Sequence, residues 1–376
     1  MTDVSGSKQV PRPAVPGVTR GRFSQGLIDD DPEELVVVHD RGSGLHAVVS
    51  IQSTVLGPAL GGCRFHPYDS MVDAVDDAVR LGRAMAAKAS VAGLDLGGGK
   101  AVILGDPTYD RTEALVGAFG QLVEQLGGRY ITAEDVGTTT ADMDLVRDQT
   151  THVVGCSAAR GGAGDPSRST AIGVFESMRA TVEHVDGTSD LAGLRVVVLG
   201  VGTVGGALVE QLIAAGATLT IADVDRSAVA ALRARFPLEV VTPEDAHRQP
   251  CDVFAPCALG ATLNSSTIGQ LGCRMVVGSA NNQLGEPTDA DRLADAGVLY
   301  APDYVVNAGG LIHVSDDLHG FDADRVDARV RAIGPSLRDL LAEAATEGIT
   351  PAAMADRAAR RRIERAVARL ATAPAA

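Results

Sequence analysis

LRVVVLGVGTVGGALVEQLIAAGATLTIADVD, from Leu194 to Asp225, decides how the second half of this chain folds. A β-branched run enters Gly200-Val201-Gly202-Thr203-Val204-Gly205, a helical pattern with Leu208, Leu212 and Ile213 inward follows to Gly216, and a second strand ends at Asp223. A bare G-x-G-x-x-G says little, but between a strand and a helix each glycine has a role, whether in a tight turn, in backbone approach to a pyrophosphate, or in helix–strand packing. The helix start offers unpaired N–H groups to phosphate. An acid at the position of Asp223 accepts hydrogen bonds from an adenosine ribose diol and repels a 2′-phosphate, which favours NAD over NADP, although Arg226 is close enough to receive such a phosphate. The other reading of the same residues is a strand-to-helix turn that binds no nucleotide.

On either side of this unit, strands and helical patterns alternate. ELVVVHD, HAVVSIQS, KAVILGD and RYITA read as strands; Ser70 to Lys88 and TEALVGAFGQLVEQL read as helices, the first opened by Ser70 with Asp73 and the second stopped by Gly127-Gly128. CDVFAPCA, RMVVGSA and GVLYAP are later strands, and the chain beyond about Phe321 has helical periodicity only. The expected class is α/β with two domains. Residues 31–160 form a substrate and oligomerisation domain, 161–324 a Rossmann-type nucleotide domain, and helices in 325–376 pack back on the first. Residues 1–30, rich in Pro, Gly and Ser, read as a mostly disordered extension.

The 376 residues carry a net charge of −15, which argues against a general nucleic-acid binder. No apolar run approaches the roughly 18–20 residues of a membrane span. No secretory signal pattern opens the chain, and five scattered cysteines argue for reduced thiols in the cytoplasm. No histidine spacing suggests a metal site.

KASVAGLDLGGGK, Lys88 to Lys100, holds two lysines around a glycine-rich turn. It is no phosphate loop, because Ala101 follows Lys100 where Ser or Thr is required. Lys88 ends a helix and Lys100 begins a strand. If the turn unites them, Gly97, Gly98 and Gly99 leave bare backbone for a substrate, and two ammonium groups bind a carboxylate while depressing each other's pKa. A lysine so lowered serves as a base. Spacing alone fits solvated surface lysines equally well. Asp135, at the end of RYITAED, either faces the cleft as an ionised proton carrier or caps the helix near Thr139.

Together GPALGGCRFHPY, KASVAGLDLGGGKAVILGDP, GGRYITAEDVGTTTADMD, GGAGDPS, GVGTVGG, CDVFAPCALG, GSANNQL and APDYVVNAGGLIHVSDDLHGFD resemble the valine, leucine and phenylalanine dehydrogenases of the glutamate dehydrogenase superfamily, in order, from about Leu35 to Asp322. The wording is nearest to the valine and leucine members. The resemblance implies NAD-dependent oxidative deamination of an L-amino acid by a homo-oligomer. By motif position it makes Lys100 the catalytic lysine that activates water, Asp135 the acid/base for the amino group, and Lys88 the holder of the substrate carboxylate. It places substrate beside Leu60, Gly61, Gly62, Ala133, Asn281, Leu311 and Val314. The cofactor falls to Gly200, Gly202, Thr203, Val204, Gly205, Asp223, Asn281 and Asn307. Leu60 stands where glutamate enzymes carry a lysine, and the apolar pocket positions imply valine, leucine or isoleucine, with phenylalanine as the alternative. A sensor without catalysis is a third reading. Three departures accompany the match: Cys63 for threonine, Ser279 for alanine, and LGAT around Gly260 for LGG.

Overall fold

The computed structural model describes residues 18–22, 31–258 and 260–372. Strands β1 (Val18–Arg22), β2 (Glu34–Asp40), β3 (Leu45–Ser53) and β4 (Ala59–His66) precede helix α1 (Met71–Val91), then come β5 (Gly97–Leu104), α2 (Glu113–Gln125), β6 (Tyr130–Glu134) and α3 (Thr140–Arg147). The sheet order is β1-β2-β3-β5-β4-β6. The first four neighbours pair antiparallel, and β5-β4-β6 run parallel. Ser70 caps α1 by accepting the Asp73 N–H, and Thr112 does the same for α2 at Leu115. The edge strand β1 differs from the extension expected for that stretch: its backbone pairs with Leu35–Val38 and Glu34, which supplies the hydrogen bonds that local composition did not foretell. The rest of 1–30 lies outside the described residues.

A long helix, α4 (Ser167–Asp186), leads into β7 (Arg195–Leu199), α5 (Thr203–Ala214), β8 (Thr218–Ala222), α6 (Arg226–Arg233), β9 (Glu239–Val240), β10 (Val253–Pro256), β11 (Met275–Val276), α7 (Asp289–Asp295) and β12 (Leu299–Tyr300). These strands are all parallel in the order β9-β8-β7-β10-β11-β12. That is the doubly wound order with its switch point between β7 and β10, where crevices form at the strand C-termini. Short helices α8 (Asp303–Val306) and α9 (Gly309–Ser315) then cross back toward the first sheet, followed by α10 (Ala323–Arg331), α11 (Ile333–Glu347) and α12 (Pro351–Thr372).

The return of the C-terminal helices is divided between the two sheets. Val326 and Val330 of α10 join Leu60, Ala89 and Leu94 in a core beside the first sheet, whereas Leu337, Leu341 and Ala344 of α11 complete the nucleotide-side core. α12 is fastened to α1: Ser90 Oγ donates to the Ala359 carbonyl, and Arg362 donates to the Leu94 carbonyl and to Asp95.

The glycine-rich stretch is not a turn. Gly97, Gly98 and Gly99 lie inside β5, so Lys100 is mid-strand and paired opposite Ser50. A Cβ at Gly97 would stand 1.8 Å from the Ser53 carbonyl oxygen, and one at Gly98 2.0 Å from the Ala86 nitrogen. The glycines therefore make room for neighbouring backbone, not for a substrate. Helix α1 lies directly on bare strand, which is how Lys88 and Lys100 come to one place.

Candidate active site

The first sheet, α1 and the α8–α9 segment enclose a cleft of about 420 Å³ between the two halves of the chain. Each element contributes by its own period. On β4 the alternating residues Leu60, Gly62 and Arg64 reach it, together with Gly61; on α1 it is Leu81, Ala84, Met85 and Lys88, one helical stripe. Lys100 rises from β5, Ala133 and Asp135 from the end of β6, and Asn281, Asn307, Leu311 and Val314 from the nucleotide side and α9. The glycines and Asp223 of the nucleotide loop lie outside this cleft, and Val204 borders it.

Lys100 is 3% exposed and pairs with Asp135 Oδ2. Burial drives the Lys100 ammonium below its usual value and the Arg64 charge adds to this, while Asp135 opposes it without reversing the direction. For Asp135 burial alone would raise the carboxyl, but the charge and hydrogen bond of Lys100, with Arg64, hold it below the ordinary range. Burial likewise brings half-buried Lys88 down to about 8, against the attraction of Asp303 and with a smaller push from Lys100. Desolvation, rather than mutual repulsion, is the larger cause at both lysines.

Asp135 does not cap α3. Thr139 is the cap, in a reciprocal box with Asp142, and the backbone N–H of Asp135 donates to Thr138 Oγ1 at 2.9 Å. That turn leaves the Asp135 carboxylate free to face the cleft. Asn307 Nδ2 donates to Asn281 Oδ1 at 2.8 Å and to the Ser279 carbonyl at 3.1 Å, while its own Oδ1 is buried without a partner among the described residues. A buried acceptor of this kind is costly unless a ligand donates to it, as a carboxamide N–H₂ does.

At the nucleotide loop, Gly200 has φ +97°, and a Cβ at Gly205 would stand 2.0 Å from the Gly200 carbonyl oxygen. Gly202 faces open space and caps α5 with no side-chain bond, so the first N–H groups of that helix are free for phosphate. Asp223 Oδ2 accepts from the Val201 N–H at 2.6 Å and Oδ1 from Asp225 N–H at 2.8 Å, so this acid also ties the loop to the end of β8. The residues fit a dinucleotide.

Arg64, Met85, Thr170, Asp303 and Tyr304 also line the cleft. The period-two face of β4 would have revealed Arg64 and the helical stripe Met85; nothing local to Thr170, Asp303 or Tyr304 announces them. Cys63, one of the departures, is buried in β4, and burial pushes its thiol up. The five cysteines are free, and among the described residues no cluster of three or more metal-ligating side chains forms. Among them no helix is long and apolar enough to cross a membrane.

Residues 32–152 match the family model of the Glu/Leu/Phe/Val dehydrogenase dimerisation domain, and residues 221–370 match that of glutamate/leucine/phenylalanine/valine dehydrogenase. The chain is 49% identical to a valine dehydrogenase of Streptomyces albus, covering 90% of this chain and 93% of that protein. It is 46% identical to a leucine dehydrogenase of Bacillus subtilis, covering 89% and 92%. Among solved structures it is similar to L-tryptophan dehydrogenase from Nostoc punctiforme, with TM-score 0.79 and 36% identity over 89% of this chain and 96% of that one.

Proposed function

The chain belongs to the glutamate/leucine/phenylalanine/valine dehydrogenase family, and from that membership we propose that it converts an L-branched-chain amino acid, valine, leucine or isoleucine, reversibly into the 2-oxo acid and ammonia. It is an amino-acid dehydrogenase and its cofactor is NAD. The observation that carries the substrate reading is the cleft itself, where Lys88, Lys100 and Asp135 meet an apolar wall of Leu60, Ala133, Leu311 and Val314. An uncharged Leu60 gives a side-chain carboxylate no partner, and burying one unpaired costs several kcal/mol.

Lys88 binds the substrate carboxylate with its ammonium. Asp135, ionised, takes a proton from the substrate's ammonium group so that the nitrogen lone pair can push electrons out of Cα. When bound, NAD would supply the acceptor for the hydride that leaves Cα. Lys100 in its neutral form removes a proton from the water that adds to the resulting iminium carbon; Asp135 then gives its proton to the amine and takes up the hydroxyl proton as the C–N bond breaks and the C=O bond forms. Gly200, Gly202, Thr203, Val204 and Gly205 hold the pyrophosphate, Asp223 the adenosine ribose, and Asn307 with Asn281 the carboxamide end. The domains divide at about residue 160, and the working protein is a cytoplasmic homo-oligomer built through the first sheet's domain, serving branched-chain amino-acid breakdown.

Steady-state NADH formation across a panel of L-amino acids tests the assignment. Valine, leucine and isoleucine should give the highest kcat/KM; a value for phenylalanine well above theirs would overturn it. Lys100→Ala should lower kcat by about 100-fold or more, and unchanged turnover would refute the base role. Binding of amino acid and NAD without any turnover in the wild type would leave a sensor.

A further inference from the structure

Arg64 lines the cleft but has no part in that chemistry. Arg64 reaches from β4, its Nε donating to Asp135 Oδ1 at 3.1 Å and its Nη1 to Asp77 Oδ2 at 2.9 Å. Asp77, on α1, is itself held by the Tyr68 hydroxyl at 2.7 Å and by Arg80 at 2.6 Å. The side chains of Arg64 and Asp77 are 21% and 15% exposed, so solvent screens this chain of contacts weakly. Lys100 takes the other Asp135 oxygen. The two carboxylate oxygens are thus divided between two cations that arrive from different strands, and the carboxylate cannot turn about its Cβ–Cγ bond without losing one of them. The guanidinium serves Asp135 and Asp77 from two separate nitrogens fixed in one plane, whereas a lysine at this position brings the same charge on a single, less directed nitrogen.

We propose that Arg64 is a positioning residue of the reaction: anchored by Asp77 and Tyr68, it holds Asp135 Oδ1 while Lys100 holds Oδ2, so that the carboxylate meets the substrate nitrogen in one orientation. The proposal rests on the roles given above to Lys100 and Asp135. The charged and titratable groups facing Lys100 are Cys63 and Arg64 from β4, Asp135 from the end of β6, Lys88 from α1 and, beyond Lys88, Asp303 from α8; Glu134 lines the cleft with its carboxylate accepting from the Thr140 hydroxyl. Loss of the Arg64 charge removes a cation from beside both members of the pair. Asp135 then ionises less readily and Lys100 holds its proton more firmly, so both titrations move to higher pH.

The test is the pH dependence of kcat and kcat/KM for valine in the intact enzyme with NAD, for wild type, Arg64→Lys and Arg64→Met, with thermal midpoints as a check on folding. Arg64→Lys should lose about 100-fold in kcat with both pH limbs near their wild-type positions and KM little changed. Arg64→Met should lose at least as much and shift both limbs upward. Asp77→Asn, which keeps Arg64 but removes its anchor and a nearby anion, should lower kcat and move both titrations downward instead. Unmoved limbs in Arg64→Met, over a wild-type profile that shows them, would overturn the positioning role alone. So would a raised KM with unchanged kcat, which marks Arg64 as a substrate contact. A wild-type profile in which activity does not rise through a basic group titrating below the ~10.4 of free lysine would overturn the Lys100 reading together with this one.

Discussion

Gly98 of β5 and Ala86 of α1 touch backbone to backbone: a Cβ built on Gly98 would stand 2.0 Å from the Ala86 nitrogen and 2.3 Å from its Cα. No rotamer can relieve such an overlap, because both sides of it are main chain. Lys88 lies two residues beyond Ala86 and Lys100 two beyond Gly98, so this contact sets the separation of the two amines.

Gly98→Ala is therefore expected to lift α1 from the sheet. Overpacking of this kind costs about 1–3 kcal/mol, visible as a lower urea midpoint at unchanged slope. KM for the amino acid should rise more than kcat falls, because Lys88 moves with the helix. An unchanged midpoint with wild-type KM would show that the close approach is not needed.

Lys88 gives a pH dependence with two opposite signs. The carboxylate requires the ammonium, so KM for the amino acid should rise as pH passes upward through about 8. The unfolded chain keeps the same proton to about 10.5, so between these values it binds more protons than the folded one and the contribution of Lys88 to stability increases with pH. Comparing Lys88→Met with wild type checks both: the rise in KM near pH 8 should vanish, and the difference in thermal midpoint, favouring Met below pH 8, should shrink toward pH 10.

Leu311 closes the apolar end of the cleft together with Val314. Leu311→Ala should enlarge it and increase the kcat/KM of phenylalanine relative to valine by roughly 10-fold or more, within the ~1–3 kcal/mol that shape selection in apolar pockets supplies. An unchanged ratio in the panel assay would mean that other walls select the side chain.

Ala261 stands where the LGAT departure loses its second glycine, and its φ is +59°. A non-glycine residue in that left-handed region costs about 1–2 kcal/mol. Ala261→Gly should recover close to 1 kcal/mol and raise the thermal midpoint by a few degrees, with activity unaltered. A lowered midpoint would show that the added freedom of the unfolded chain outweighs the relief of strain.

The nucleotide unit was legible in the sequence because its requirements are local. A strand, three glycines, a helix and an acid lie within thirty residues; Gly200 and Gly205 sit where backbone sterics demand a glycine, and Asp223 accepts from the Val201 N–H. The helices and their caps at Ser70, Thr112 and Thr139 were legible for the same reason. Residues such as Lys88, Lys100 and Asp135 could be picked out by motif position, but their spacing alone left surface lysines and a helix cap equally open.

Tertiary structure decided what those residues face. The glycines beside Lys100 make room for a helix and a neighbouring strand and not for a ligand, a fact that depends on atoms at Ser53 and Ala86. Arg64 meets an aspartate 71 residues away, and Asp303 reaches the surroundings of Lys88 from the other half of the chain. The local sequence determined the elements, since helix caps, strand periods and positive φ are settled within a few residues. Only the packing of α1 on bare β5 determined the charges, because a lysine is lowered when distant elements take its water away.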